Sequence, residues 1–122
     1  MIFPLLLTIA ASQCYVVDGD TIRCGSERIR LLGIDAPELH GCPRNRTCAP
    51  GGGQASKRSL ERMMGGALRI EPVTRDRYGR VVAQVYAGGR NLSCQQLRAG
   101  QAIYKRAWDN GRRLAQECGA AR

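Results

Sequence analysis

Cys14-Tyr15-Val16-Val17-Asp18-Gly19-Asp20-Thr21-Ile22-Arg23-Cys24 reads as two short strands folded back on a turn. β-Branched and aromatic residues fill both arms, and the small, polar Asp18-Gly19-Asp20 between them suits a tight reversal. With the bend at Gly19, the residues five before and five after it stand opposite each other, and these are Cys14 and Cys24. Opposed positions of a non-hydrogen-bonded cross-strand pair meet disulfide geometry. The stretch therefore predicts both an antiparallel hairpin and the bond that staples it.

Working outward, residues 28–34 read as a third strand that ends before Pro37. Residues 39–53, with Pro43, Pro50 and Gly51-Gly52-Gly53, are expected to be an irregular loop. A helix is predicted over 54–64, with Ala55, Leu60, Met63 and Met64 as its buried stripe and Gly65-Gly66 as its stop. Residues 68–74 and 81–86 are the next strands. Asn91 or Ser93 then caps a helix running to about Arg98, Gly100 ends it, and a last helix over 110–118 carries Leu114 and Cys118 on one face. Five strands, a helix after the third and helices at the end predict an α+β, mainly β fold: a five-stranded, partly open barrel of the OB type with about three helices, stabilised by disulfides.

The 122 residues suffice for one compact core. Nineteen Lys and Arg against ten Asp and Glu give a formal charge of +9, which favours polyanionic partners. The apolar start, with Ala10 and Ser12 at the −3 and −1 positions, reads as a secretory signal over residues 1–12, leaving a domain over 13–122; a first strand over 3–9 is the alternative. No later run is apolar enough for a membrane span. The six cysteines, at 14, 24, 42, 48, 94 and 118, fit three disulfides in a secreted or periplasmic protein. Zinc is disfavoured by the absence of C-x-x-C and by a single histidine, His40. Cys42 and Cys48 share one loop, which leaves Cys94 to Cys118 to tie down the tail.

Arg30-Leu31-Leu32-Gly33-Ile34-Asp35-Ala36-Pro37-Glu38 and Asp76-Arg77-Tyr78-Gly79-Arg80 supply the remaining chemistry. Hydrolysis of a phosphodiester needs positive charge on the phosphate and a base for the attacking water. Asp20 and Asp35, with a backbone carbonyl, form a donor set for a hard cation such as Ca²⁺ or Mg²⁺. An EF-hand is excluded, because Ile29 and Leu31 stand where its twelfth ligand would be counted from Asp18 or Asp20. Glu38 is the natural base, and Arg30 and Arg80 are the phosphate clamp. Most other arginines, including Arg44, Arg46, Arg112 and Arg113, are expected to form a solvated basic surface. Arg30 and Asp35 are an odd number of residues apart and would point to opposite faces of a straight strand, so an irregularity is predicted between Leu32 and Asp35.

Taken together and in this order, V-D-G-D-T, R-L-L-G-I-D-A-P-E and D-R-Y-G-R resemble the staphylococcal (thermonuclease-like) nuclease family, from about Tyr15 to Trp108. The resemblance implies an OB-fold nuclease that uses Ca²⁺ to cut DNA and RNA and leaves 3′-phosphate ends. It implies Asp20, Asp35 and the carbonyl of Ala36 as calcium ligands, Glu38 as the base, and Arg30 and Arg80 on the phosphate. Tyr78 is implied as a substrate contact, with Asp18 and Thr21 as supporting groups. Ala36 replaces the family's frequent threonine, and the loop after Glu38, with Cys42 and Cys48, is longer. For the aromatics that stack on a base, Tyr104 and Trp108 are the candidates. The chain is expected to act as a monomer. The competing readings are a non-catalytic nucleic-acid-binding OB module and a basic structural or toxin-like protein.

Overall fold

The computed structural model describes residues 7–119. Strands β2 (Cys14–Asp18) and β3 (Thr21–Cys24) form the expected hairpin, with Cys14 opposite Cys24 and a register shift between Val16 and Asp18. Strand β4 (Glu27–Leu31) pairs antiparallel with β3. Strands β6 (Ala67–Arg75) and β7 (Val81–Ala87) form a long antiparallel pair. Parallel pairing of β4 with the first part of β7, Arg30 opposite Val82, joins the two halves. β8 (Arg90–Asn91) pairs with the other end of β7, and β1 (Leu7–Ala10) pairs with β6. The sheet order is therefore β1-β6-β7-β4-β3-β2, curled into a half-barrel. A separate pair joins β5 (Ile34–Asp35) to β9 (Ile103–Tyr104).

The strand count corrects the expectation of five. The five predicted strands correspond to β2, β3, β4, β6 and β7, and the described residues add β1, β5, β8 and β9. Each addition is four residues or shorter, too brief for alternation to stand out from its surroundings. Residues 1–6 of the expected leader lie outside the described residues; Leu7–Ala10 run along the sheet edge with side chains mostly exposed.

Three helices pack on the sheet: α1 (Gly53–Met63), α2 (Leu92–Arg98) and α3 (Arg113–Cys118). Asn91 is the cap of α2, its Oδ1 accepting from the Cys94 N–H at 3.2 Å, whereas the Ser93 hydroxyl turns inward and donates to the Leu32 carbonyl at 2.9 Å. Ile22, Leu31, Ile70, Val85, Leu60 and Leu114 are almost fully buried between sheet and helices, and each contributes about 2 kcal/mol of apolar burial. The α1 stripe is a correction. Its buried face is Gly53, Ser56, Ser59 and Leu60, with Met63 and Met64 only partly covered and Ala55 exposed. Two serines can face inward because the Ser56 hydroxyl donates to the Gln101 carbonyl at 2.6 Å and the Ser59 hydroxyl to Gln96 Oε1 at 2.7 Å. All six cysteines are paired, as 14–24, 42–48 and 94–118.

Candidate active site

The expected break lies directly after β4. The strand stops at Leu31, Gly33 takes φ +78°, and β5 resumes in the other sheet. Gly33 is required twice over, since a Cβ there would stand 2.7 Å from Leu114 Cδ2 and the backbone is left-handed. The turn brings Asp35 back toward Arg30: the guanidinium donates to the Ile34 carbonyl at 3.0 Å and lies 3.9 Å from Asp35 Oδ1 and 3.6 Å from Asp20 Oδ1.

Asp20 leaves the hairpin turn with its side chain buried and hydrogen-bonded at both oxygens. Its Oδ1 accepts from the Thr21 hydroxyl at 2.9 Å and its Oδ2 from the Ala36 N–H at 2.9 Å, while its own N–H donates to Asp18 Oδ1 at 3.2 Å. Burial raises its proton affinity, but Arg30's charge and the hydrogen bonds from Asp18, Ala36 and Thr21 outweigh that and hold it below the usual carboxylate range. Burial, then the bond to and charge of Asp20, push Asp18 up to about 7. Asp35 is also raised, chiefly by burial and then by Asp20, against the pull of Arg46, Arg30 and Lys105.

Gln96 supports this turn, and nothing in its sequence context marks it. It is fully buried on α2, and its amide donates to the Gly19 carbonyl at 2.8 Å and the Ser56 carbonyl at 3.0 Å. Only the fold brings residues this far apart in sequence together.

Arg46 corrects the expected solvated surface. Although it is exposed, its Nη2 donates to Asp35 Oδ1 at 3.1 Å and its Nη1 lies 2.8 Å from Glu38 Oε2. The Cys42–Cys48 loop therefore presents a guanidinium to the expected metal ligand and base together. Arg44, Arg112 and Arg113 are exposed, as expected. Glu38 itself is held where α1 begins, because Gly53 has no Cβ to strike the Glu38 carbonyl oxygen and Leu39 Cα.

The β6–β7 turn brings in the second arginine. Asp76 accepts from the N–H groups of Tyr78 (2.9 Å) and Arg80 (3.0 Å) and from Arg80 Nε at 2.7 Å. Arg80 precedes Val82 by two residues and so shares the face on which Arg30 stands. Tyr78 is exposed, under the guanidinium groups of Arg77 (5.0 Å) and Arg80 (5.4 Å). Trp108 lies under Arg30, 4.7 Å from its guanidinium carbon, with Lys105 Nζ 5.2 Å from the ring. The Tyr104 hydroxyl is instead engaged by Asp109, which also accepts from the N–H groups of Leu114 and Ala115 at the start of α3. Asp18, Asp20, Arg30, Glu38, Arg80, Tyr78 and Trp108 line one open cavity of about 870 Å³, and Asp35 reaches it through Arg30 and Arg46.

The family described as Staphylococcal nuclease homologue matches residues 28–121, over most of this cavity. The chain belongs to that family. Among relatives of this staphylococcal nuclease homologue, a probable staphylococcal-like nuclease of Oryza sativa subsp. japonica is 34% identical over 98 residues, covering 80% of this chain and 27% of the relative. The endonuclease YncB of Bacillus subtilis (strain 168) is 36% identical over 93 residues, 70% of this chain and 43% of the relative. A thermonuclease of Staphylococcus intermedius is 32% identical over 96 residues, 74% and 56% respectively. The homologue thus spans between about a quarter and just over half of these relatives' lengths.

Proposed function

We propose that this protein is an exported, calcium-dependent nuclease with an OB-type barrel, hydrolysing DNA and RNA to 3′-phosphate ends. One observation carries the reading: buried Asp20, accessible Glu38, Arg30 and Arg80 line one cavity, and buried Asp35 is joined to it by ion pairs with Arg30 and Arg46. Nuclease names among the relatives support it. Export is supported by three disulfides with no free cysteine among the described residues. Cleavage after Ser12 would remove β1, three of whose four side chains are exposed, together with the part-buried Ile9 that packs against the core.

The donor set fits a hard cation. Asp20, Asp35 and the Ala36 carbonyl would hold it: the carboxylates are buried, the Ala36 peptide lies against Asp20, and every described cysteine is in a disulfide. No group of three or more acidic, His or Cys side chains that could hold a metal ion occurs among the described residues. When bound, the cation would supply Lewis-acid stabilisation of the phosphate oxygens. Glu38 takes a proton from the attacking water, whose oxygen bonds to phosphorus as the bond to the 5′ oxygen breaks, and that oxygen leaves as a hydroxyl with a proton from solvent. Arg30 and Arg80 stabilise the charge that develops on the phosphate. Asp76 fixes the Arg80 guanidinium, and Trp108 stacks on Arg30 and offers an aromatic surface beside the clamp.

The test is cleavage of single-stranded DNA by the oxidised protein with calcium or chelator. Glu38→Gln should lower the calcium-dependent rate by at least about 100-fold. Binding without cutting by the wild type would favour the non-catalytic OB module instead.

A further inference from the structure

Tyr15 and Arg23, on the outer face of the opening hairpin, are not among the residues that line the cavity just described. Strand alternation turns Val16, Ile22 and Cys24 into the core and leaves Tyr15 and Arg23 outside, with Tyr15 opposite Arg23 and Arg23 opposite Arg28. This row crosses β2, β3 and β4 and spans roughly 10 Å, two interstrand spacings. Tyr15 is 61% exposed, the most of any large hydrophobic residue described. Arg23 takes part in no ion pair among the described residues. Arg28 lines the cavity and donates to the Tyr78 carbonyl at 2.5 Å. Arg30 follows it by two residues on the same face, about 6.6 Å along the strand. The row is thus continuous with the phosphate clamp.

The geometry points to the Tyr15–Arg23–Arg28 row as an outer track for a single-stranded polynucleotide, with the two arginines on backbone phosphates and Tyr15 stacked on a base beyond the cleaved bond. The inference rests on the nuclease reading for its substrate class. Two arginines continuous with a phosphate clamp supply charge complementarity, and an exposed aromatic beside them is the combination that holds single strands without sequence preference. The Cys14–Cys24 bond lies behind the row and fixes the spacing of Tyr15 and Arg23 before any strand binds.

The test compares Tyr15→Ala and Arg23→Ala with wild type on a dinucleotide diester and on a single strand of about eight nucleotides. Cleavage is read in calcium, and the strand's Kd is read in chelator. Both variants should weaken binding of the longer strand about tenfold and leave turnover of the dinucleotide unchanged. Tyr15→Phe should retain the wild-type affinity. Arg23→Ala should also lower the slope of log K against log salt by about 0.7. Equal effects on both lengths, or unchanged affinity for the long strand, would overturn the track. A wild type that cuts neither substrate would overturn the nuclease reading, while the chelator Kd would still decide the track.

Discussion

Arg46 holds the carboxylates of Asp35 and Glu38 in one guanidinium, so the proposed metal ligand and the proposed base share a counterion. A divalent cation held by Asp35, as proposed, would compete with Arg46 for it. Arg46→Ala should therefore tighten calcium binding, measured by calorimetry, by roughly fivefold, the effect of a part-exposed ion pair of about 1 kcal/mol. Unchanged affinity would make the pair incidental. Asp76 offers a pH-dependent test on the other side of the cavity. Burial raises its proton affinity, but the Arg80 N–H bond and charge outweigh this and hold it below its ordinary 3.8. A carboxylate depressed in the folded state stabilises the fold above its unfolded pKa, and that stabilisation disappears as pH falls through the lower folded value. The wild type should thus lose melting temperature more steeply than Asp76→Asn below about pH 4, and the two should converge in strong acid. Parallel curves from pH 2 to 6 would refute the role.

At the scale of elements, α1 and α2 clamp the hairpin turn through one side chain. Gln96 fills its hydrogen-bonding capacity with Gly19, Ser56 and Ser59, all buried or part-buried. Gln96→Leu keeps much of the volume but leaves those partners unsatisfied, at a cost of about 3 kcal/mol. Denaturant unfolding should reveal that loss, and cleavage should fall further than stability accounts for, because Asp20 follows Gly19. A change below about 0.5 kcal/mol would show that water replaces the amide. The hairpin, the break between Leu32 and Asp35 and a capped helix start at Asn91 or Ser93 were legible in the sequence because each is local: a turn composition, a parity conflict and two cap-forming side chains, between which the structure selects Asn91. Gln96 and Arg46 were not. One acts on residues far from it in sequence, and the other is an arginine among many until the Cys42–Cys48 loop directs it inward. The serine-lined face of α1 was missed for the same reason, since apolar periodicity is blind to hydroxyls that find buried partners.

Over the whole molecule, +9 formal charge and a basic outer row suit a polyanion, while the small core is reinforced by three covalent closures. They enclose sequence separations of 10, 6 and 24 residues, and each is worth about 2–4 kcal/mol through restriction of the unfolded chain. The cysteines combine in consecutive pairs, first with second, third with fourth and fifth with sixth. A polypeptide delivered amino-terminus first into an oxidising compartment would expose its thiols in exactly the order in which they must combine, and no bond would wait for a distant partner. An oxidase acting on each new pair as it emerges reaches the native set directly, so yield in the periplasm of a bacterial host should be the same with and without its disulfide isomerase. A strong isomerase requirement, read from the fraction of native disulfides by mass spectrometry after proteolysis, would contradict this route.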